Sequence, residues 1–297
     1  MAQWRGRPAE EEEFMPRRAN PTARQQRLGA ELRKMRERAG VAAGAAARAV
    51  GLDQGKLSYI EAGRAAVSGD RLRSLAAHYG ESDDAFVEAL VAMARDRGRG
   101  WWDEYKDALG RLSLDIAELE HHATALRALQ VVHIPGLLQS KDHVRSLYAN
   151  TMPELSSEAL EAVAEFRVRR RSVLEREKPP ELDALLHEAA LRIRVGDRRV
   201  AAQQLALLLD LSEHPAVTLR VVPFDTDGFT EASFPMLYAS GHVERLDTAQ
   251  FDTIDGCSFV DADEQLGAYR KVLDAVGRVA LSPAASRDLI RRVAREL

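Results

Sequence analysis

Apolar residues recur at the spacing of a helix on both sides of a short central segment near the start of the chain. They form two stripes, one of Leu28, Leu32 and Met35 and one of Leu72, Leu75, Ala76 and Tyr79. Between the stripes, Leu57 and Ile60 lie three residues apart and therefore share one face of a further helix. The pattern predicts a compact bundle of short helices over residues 22–80.

A tight turn is predicted just before the central helix. Gly51 suits such a turn because a Cβ at this position would be costly. Asp53 is placed to cap the helix that follows, since its short carboxylate can accept backbone N–H groups of the first turn. Gly63 is placed to end that helix. Two helices joined by a glycine turn are thus predicted at the centre of the bundle.

The pattern also predicts where the bundle ends. Ser82 is expected to cap a further helix, which runs into a flexible basic hinge at residues 95–100. Residues 1–20 carry no periodic apolar face and are expected to form a disordered arm. The predicted parts are therefore the arm at 1–20, a first domain at 21–97 and a larger domain at 98–297.

The larger domain is predicted to be helical over 101–178 and α/β over 179–297. Its expected helices lie at 112–129, 142–148, 157–177, Arg198–Leu211, Asp263–Val279 and 283–297. Its expected strands lie at 182–186, Val217–Val222, 234–239, 248–254 and 257–260. A basic face at the end of the 157–177 helix is interpreted as solvated and paired with nearby Glu; it comprises Arg167, Arg169, Arg170 and Arg171. The predicted fold class is mainly α with a C-terminal α/β part.

The helical bundle and the rest of the chain differ in net charge. Residues 16–80 carry 13 Lys and Arg against 5 Asp and Glu, whereas the whole chain has a formal net charge of −4. The remainder therefore carries about −12. A small basic module on an acidic body is the electrostatic pattern expected of a protein that binds DNA.

The run GLDQGKLSYIEAGR at 51–64 resembles the Xre/Cro-type helix-turn-helix. The resemblance implies that 42–50 is the first helix of the motif and 53–61 is the recognition helix. Gln54 and Lys56 then lie where this fold presents side chains to base edges, Gln suiting adenine and Lys suiting guanine.

The same resemblance supplies four further DNA-binding candidates. Ser58 and Tyr59 are candidates for contact with phosphate or with a thymine methyl group. Arg48 and Arg64 are interpreted as phosphate contacts. The expected partner is double-stranded DNA. Because one motif contacts few base pairs, we expect a homodimer that binds a palindromic operator.

Two features depart from the family pattern. The family usually opens the first motif helix with a Thr-Gln pair, where this chain has Ala42 and Ala43. Gly55 lies inside the recognition helix, where glycine costs roughly 1 kcal/mol relative to alanine. Both departures predict a modest intrinsic affinity for DNA.

The region from Trp101 onward resembles the effector half of the WhiJ-type regulators of actinomycetes. The resemblance is carried by short motifs in a fixed order, namely Trp102, Glu118-Leu119-Glu120, Ile134-Pro135-Gly136-Leu137-Leu138-Gln139, Glu188-Ala189-Ala190-Leu191, Gln204-Leu205, Val222-Pro223-Phe224, Leu281-Ser282-Pro283 and Ser286. It implies a transcriptional regulator that influences development and antibiotic production, often beside a small partner protein encoded next to it. It implies no catalytic mechanism.

Seven residues of this region are candidates for a ligand or partner site, because aromatic anchors, an ordered turn and nearby carboxylates suit recognition. They are Trp101, Trp102, Glu120, Pro135, Gly136, Gln139 and Glu188. The alternative for the tryptophan pair and for the turn at 134–139 is core packing between domains.

Motifs for enzymatic chemistry are not evident in the sequence. The single cysteine, Cys257, excludes an internal disulfide and a cysteine zinc cluster. We predict no catalytic residues, no metal site, no cofactor and no membrane partner, and we expect a cytoplasmic, nucleoid-associated protein. Met15, followed by a basic pair, is a second candidate for the start of translation.

The sequence favours a sequence-specific, dimeric transcriptional regulator whose C-terminal domain senses a small ligand or a partner protein. One alternative is an antitoxin-like member of a two-protein pair, in which DNA binding serves autoregulation and the main partner is a small companion protein. A second alternative is an enzyme fused to a DNA-binding domain, whose site would be assembled from residues distant in the chain.

Overall fold

The computed structural model describes residues 20–96, 100–229, 235–253 and 256–297. The chain divides into two compact units, Met1–Arg97 and Gly98–Leu297. Several expectations fall outside the described residues: almost all of the 1–20 arm, positions 97–99 of the basic hinge, position 234 at the start of one expected strand and position 254 at the end of another.

The described part of the N-terminal unit is a bundle of short helices. They are α1 Ala23–Arg38, α2 Ala43–Ala49, α3 Gln54–Glu61, α4 Gly69–His78 and α5 Asp84–Arg95. Leu32, Leu57, Leu72, Leu75 and Leu90 are fully buried and form the core between them. The predicted stripes therefore face inward, as their helical spacing requires.

Side-chain caps fix where most of these helices begin. Thr22 and Gln25 form a reciprocal capping box at the start of α1, and Asp53 accepts the Lys56 backbone N–H at the start of α3. The prediction that Ser82 caps α5 was wrong, because Asp83 Oδ1 accepts the Phe86 N–H at 3.0 Å. Asp83 lies three residues before that N–H, which is the spacing a capping side chain needs.

The C-terminal unit combines helices with one six-stranded sheet. Its helices are α6 Arg111–His122, α7 Lys141–Thr151, α8 Ser157–Arg170, α9 Glu188–Arg192, α10 Arg198–Leu211, α11 Asp263–Val279 and α12 Pro283–Glu296. Its strands are β1 Ala125–Gln130, β2 Glu181–His187, β3 Val217–Val222, β4 Met236–Ser240, β5 Thr248–Thr253 and β6 Gly256–Val260.

The strands follow the spatial order β3-β2-β1-β4-β5-β6. The pairs β1–β2 and β2–β3 are parallel, whereas β1–β4, β4–β5 and β5–β6 are antiparallel. Ala128 of β1 lies between Ala184 of β2 and Leu237 of β4. The sheet is therefore mixed, and β1 occupies its middle.

Each face of the sheet packs against its own helices. On one face, Leu126 and Ala128 join a core with residues of α10 and α12, including Leu205 and Ile290. On the other face, Leu129 joins a core with residues of α11. Both faces of β1 are thus buried, which requires apolar residues at successive positions of the strand.

The prediction of one helix over 112–129 was wrong, and the region expected to be helical contains the central strand. The helix α6 ends at His122, and β1 begins at Ala125. The residues of β1 are strong helix formers, and a strand buried on both faces lacks the alternation that would distinguish it from a helix. Pairing with β2 and β4 overrides the local preference.

The basic face at the end of α8 is not a solvated surface. Arg170 is buried and pairs with Glu120, and Arg171 donates to the carbonyl oxygens of Leu137 and Gln139. Arg169 pairs with a glutamate, as expected, through Glu104. The interpretation therefore holds for Arg169, whose pair with Glu104 lies at the surface, and is wrong for the buried Arg170 and for Arg171, which bonds carbonyl oxygens. The α-helix itself ends at Arg170, and a 3-10 helix, Arg171–Glu175, continues to within two residues of the end of the expected segment.

Much of the predicted pattern is confirmed. The helices α10 and α11 and the strand β3 have the predicted bounds, and β2 agrees with the expected 182–186 strand to within one residue at each end. The fold class is confirmed as a helical N-terminal bundle followed by a helical and mixed-sheet domain.

Candidate nucleic-acid interface and C-terminal cleft

The turn between α2 and α3 has the geometry that the sequence predicts. Gly51 adopts a φ of +69°, a region that residues with a Cβ rarely occupy. The Leu52 N–H donates to the Ala47 carbonyl at 2.8 Å, and Asp53 Oδ1 accepts the Lys56 N–H at 2.7 Å. The turn is therefore closed at both ends by hydrogen bonds, which fixes the direction in which α3 leaves it.

The predicted DNA-binding side chains lie mainly at the surface. Gln54, Lys56 and Ser58 of α3 are exposed, whereas Leu57 and Ile60 are buried in the bundle. One face of α3 is thus available to a partner.

The remaining candidates flank that face. Arg48 near the end of α2 and Arg64 after α3 are exposed, and Tyr59 is half-buried. Their contact with DNA stays a prediction.

Gly44 of α2 is a position that sequence reasoning missed. A Cβ placed on it would lie 3.3 Å from Gln54 Oε1 and 3.7 Å from Arg48 Nη1. The glycine therefore lets two predicted DNA-binding side chains approach the same point of α2. A glycine in the first turn of the otherwise alanine-rich α2 is the signal that could have indicated this close approach.

A bidentate ion pair holds α3 against α1. Arg36 donates from Nε to Glu61 Oε1 at 2.7 Å and from Nη2 to Glu61 Oε2 at 3.0 Å. Its Nη1 donates to the Val41 carbonyl at 3.1 Å. The hydrogen bond with Glu61 raises the pKa of Arg36. One guanidinium thus joins α1, the segment before α2 and the end of α3.

In the C-terminal unit, the tryptophan pair is part of the packed interior. Trp102 is buried in a cluster with Leu114 and Phe166. The Arg169 guanidinium lies 5.0 Å from the centre of the Trp101 ring. These contacts favour the packing alternative for both residues, within this unit.

The predicted turn at 134–139 is held by side chains from other elements. Gln204 of α10 donates to the Leu138 carbonyl at 2.8 Å and accepts the Ser140 N–H at 2.7 Å. Gln139 is buried and donates to the Ile134 carbonyl at 2.7 Å. Gln139 and Gln204 therefore stabilise the turn instead of presenting their amides to a ligand.

Glu188 has a similar supporting role. Its Oε2 accepts the Phe224 N–H at 3.0 Å, and its Oε1 accepts from Arg192 Nε at 2.6 Å. Burial acts to raise the pKa of this carboxyl, but the hydrogen bonds from Phe224 and Arg192 lower it below its usual value. Glu188 thus connects the end of β2 to the segment after β3 as a carboxylate.

A cleft opens between α6, α8, the turn at 135–137 and the face of the sheet that carries Ala128. It encloses about 60 Å³. Its lining residues are Ile116, Glu120, Ala128, Gln130, Pro135, Gly136, Leu137, Arg167, Arg170, Leu182, Met236, Leu237, Gln250 and Asp252. Three predicted ligand-site residues, Glu120, Pro135 and Gly136, meet here. The others, Trp101, Trp102, Gln139 and Glu188, do not line it.

The cleft contains a buried ion pair. Arg170 Nε donates to Glu120 Oε2 at 2.8 Å, and Nη2 donates to Oε1 at 2.5 Å. Burial acts to lower the pKa of Arg170, but the Glu120 carboxylate raises it above its ordinary value. Arg170 is therefore a cation whose orientation is fixed by Glu120.

Sequence reasoning missed four residues that line the cleft, namely Arg170, Gln130, Gln250 and Asp252. They belong to one helix and two strands, and the sheet brings the strands together through the pairing of β1 and β5 with β4. No local motif links such positions. A strand at 125–130 would have placed Gln130 on the same face of the sheet as Ala128.

Two family comparisons agree with this organisation. Residues 27–90 match a family described as helix-turn-helix domain, and residues 114–292 match the domain of unknown function DUF5753. The chain thus carries a helix-turn-helix domain of the kind that binds DNA in transcription regulators, followed by a separate C-terminal domain. Because the second match covers more than half of its length, the protein belongs to the DUF5753 family. No match was found among curated proteins or among solved structures.

The described residues contain neither a membrane-spanning helix nor a metal-binding cluster. None of their helices has both the length and the apolar character needed to cross a membrane. Within the same residues, no three His, Cys, Asp or Glu side chains are grouped to hold a metal ion.

Proposed function

We propose that the protein is a sequence-specific, dimeric transcriptional regulator that reads DNA through α3 and senses a ligand or partner through its C-terminal unit. The observation that carries this proposal is the exposed face of α3, with Gln54 and Lys56 outward and Leu57 inward. The excess of basic residues over 16–80 adds the electrostatic attraction that such a protein needs.

The proposed biological role and the proposed homodimer rest on the sequence. The motifs from Trp102 to Ser286 resemble those of the WhiJ-type regulators of actinomycetes, so we propose a role in development or secondary metabolism. A homodimer on a palindromic operator follows from the few base pairs that one motif can read.

The test is capture of genomic DNA fragments by the purified full-length protein at near-physiological salt. We expect enrichment of a short palindrome by the wild type and its loss in the double variant Gln54→Ala, Lys56→Ala. The double variant Gln203→Ala, Lys271→Ala changes exposed residues of the same types in the C-terminal unit and should keep the enrichment. Equal enrichment by all three proteins would show that α3 does not read the operator.

The antitoxin-like alternative is favoured by one specific observation. Phe224 is 61% exposed, although it lies edge-on to His187 with ring centres 5.0 Å apart. An exposed aromatic side chain is a common anchor in protein interfaces. Isolation of the protein with a small companion at fixed stoichiometry, dependent on Phe224, would favour this alternative over ligand sensing.

We assign no catalytic activity to the chain. Burial, assisted by Asp252 and Asp115, raises the pKa of the Cys257 thiol to about 11, so the thiol is protonated and weakly nucleophilic at neutral pH. The His187 ring accepts the Ala189 N–H at 3.2 Å and is thereby used as a helix cap. Chemical conversion of a bound ligand by the purified protein would contradict this assignment.

A further inference from the structure

The C-terminal cleft has an apolar wall on the sheet. Ala128 and Leu237 are paired across β1 and β4, and Gln250 follows in register on β5. Side chains at paired positions share a face, so these residues form one row along the cleft. Leu182 of β2 extends the apolar part. The sheet thus contributes an apolar wall to a cleft whose remaining lining is largely polar.

Polar atoms in the cleft retain unused hydrogen-bonding capacity. Arg170 is 93% buried, and its Nε and Nη2 are taken by Glu120, yet its Nη1 makes no hydrogen bond among the described residues. The Gln130 side chain makes none within the same part of the chain, and Gln250 uses its Nε2 on Asp252 at 2.9 Å, leaving its Oε1 open. Such groups require partners from water or from a ligand.

Gly136 keeps the Arg170 guanidinium accessible. A Cβ placed on Gly136 would lie 3.1 Å from Arg170 Nη2 and 3.4 Å from Nη1. Any larger residue at this position would therefore cover part of the guanidinium. The glycine does not adopt a positive φ, so its backbone conformation alone does not require the absence of a side chain.

The charges around the cleft balance. Its charged lining residues are two cations, Arg167 and Arg170, and two anions, Glu120 and Asp252. A ligand with a large net charge would leave an uncompensated charge in a partly desolvated site, which is costly. The balance therefore favours a ligand of no net charge that offers both hydrogen-bond acceptors and donors.

The size of the cleft restricts the ligand further. A water molecule needs about 10–15 Å³ of such space. The roughly 60 Å³ of the cleft therefore accommodates roughly four to six water-sized groups. That is the size of the amino and carboxyl portion common to all free α-amino acids.

From these observations we infer that the cleft binds a small zwitterion of the free amino acid class. Its carboxylate accepts hydrogen bonds from Arg170 Nη1 and the Gln130 amide, and its ammonium group faces Asp252 and Gln250 Oε1. The inference rests on the proposed function, which it deepens by naming the location and the class of the effector.

The test measures ligand binding by the full chain in the absence of DNA. The probes are the common L-amino acids, used singly, with inorganic phosphate and spermidine as charged comparisons. We expect at least one zwitterionic amino acid to raise the thermal midpoint by about 5–10 °C at a concentration roughly 100 times its Kd. Phosphate and spermidine should produce no such shift, and calorimetry should give a stoichiometry of one per chain.

Two variants locate the binding site. Gln130→Leu removes the unpaired amide, and Gly136→Ala covers the guanidinium, so each should abolish the shift. Gln203→Leu makes the same exchange at an exposed position, and Gly110→Ala adds a Cβ where nothing lies within 4 Å, so both should keep it. Circular dichroism of each variant without ligand shows whether it is folded. If only one of Gln130→Leu and Gly136→Ala folds, that variant alone tests the location of the binding site.

Three results would overturn the inference: no response to any amino acid, a response to phosphate or spermidine instead, or an equal response in wild type, Gln130→Leu and Gly136→Ala. DNA capture is measured separately and depends on α3. If the protein binds an amino acid but captures no operator, the proposed regulatory function is wrong. If it captures an operator but binds no amino acid, only the assignment of the cleft is wrong.

Discussion

Arg170 and Glu120 form a two-point ion pair inside the C-terminal unit, with the arginine 7% exposed and the glutamate 2% exposed. The pair joins α8 to α6 and forms one wall of the cleft. Each charge offsets part of the cost of burying the other, so neither can be lost alone without leaving an uncompensated charge in the interior.

We expect Arg170→Met to lower the free energy of unfolding by about 3–5 kcal/mol, because it leaves the Glu120 carboxylate buried without a cation. The double variant Arg170→Met, Glu120→Leu should recover much of that loss. Urea unfolding followed by the fluorescence of Trp101 and Trp102 measures both. An equally unstable double variant would show that the pair contributes something other than charge compensation.

An exposed ion pair of α12 provides the comparison. Arg291 donates to Asp288 at 2.9 Å, and both side chains are exposed. Arg291→Met should lower the free energy of unfolding by less than about 1 kcal/mol, since exposed pairs contribute little.

Two glycines with the same backbone conformation should respond differently to alanine. Gly51 and Gly63 have φ values of +69° and +72°. A Cβ on Gly51 meets nothing within 4 Å, whereas one on Gly63 would lie 2.7 Å from the Gln25 carbonyl oxygen of α1. Gly51→Ala should cost about 1–2 kcal/mol from the backbone alone. Gly63→Ala should cost at least about 1 kcal/mol more, because backbone atoms must move. Thermal unfolding of the two variants tests the difference, and equal losses would contradict the predicted clash.

His143 should make the C-terminal unit less stable in mild acid. Burial, followed by repulsion from His133 and Arg167, lowers its pKa to about 4. The unfolded chain takes up the proton near pH 6.5, whereas the folded chain does so only near pH 4. The free energy of unfolding should therefore fall by roughly 3 kcal/mol as the pH decreases through this window.

His143→Leu removes the titrating group and should flatten that pH dependence. Urea unfolding at several values between pH 7 and pH 4.5 provides the measurement. His242→Leu, at an exposed position of the same unit, should leave the dependence as it is in the wild type. Parallel curves for wild type and His143→Leu would assign the acid sensitivity to other groups.

Arg48→Ala should weaken binding to all DNA sequences alike. If Arg48 contacts one phosphate, its loss should reduce the slope of log K against log salt concentration by about 0.9. Fluorescence anisotropy with operator and unrelated duplexes at several salt concentrations measures the slope. Arg292→Ala removes an exposed arginine of α12 and should not change it. A change confined to the operator would reassign Arg48 to base reading.

Gly44→Ala should raise the stability of the N-terminal unit and lower the specificity of DNA binding. Alanine favours the interior of a helix by up to about 1 kcal/mol over glycine, so α2 should become more stable. The new Cβ would lie 3.3 Å from the Gln54 amide oxygen, and this exposed side chain would have to move. We expect a higher thermal midpoint together with a lower ratio of operator to non-specific affinity. Unchanged specificity would show that the position of Gln54 does not depend on Gly44.

Local chemistry explains which elements could be predicted. The cap at Asp53, the turn at Gly51 and the alternating β-branched residues of β3 each depend on a few neighbouring positions, and the structure agrees with all three. The strand β1 could not be predicted in this way, because its residues favour a helix and only its two neighbours in the sheet make it a strand.

The same limit applies to the candidate sites. The helix-turn-helix is one contiguous segment, so its outward residues could be assigned from spacing. The cleft instead joins Gln130, Arg170 and Gln250 from three separated segments. The motif at 134–139 did single out Pro135 and Gly136, which line the cleft, whereas the sequence pattern indicates a solvated position for the arginine behind them. Long-range pairing, which sequence periodicity does not encode, decided its position.

The position of β1 has a consequence for how the protein is made. This strand is the first of its sheet to leave the ribosome, yet its two partners are β2 and β4, and the latter comprises residues 236–240. The helices of the N-terminal unit make mostly local contacts and can form early, whereas non-local strand pairing is slow. A nascent chain should therefore pass through a stage in which the DNA-binding bundle is complete while both edges of β1 await partners. At that stage the chain is most exposed to aggregation and most dependent on chaperones.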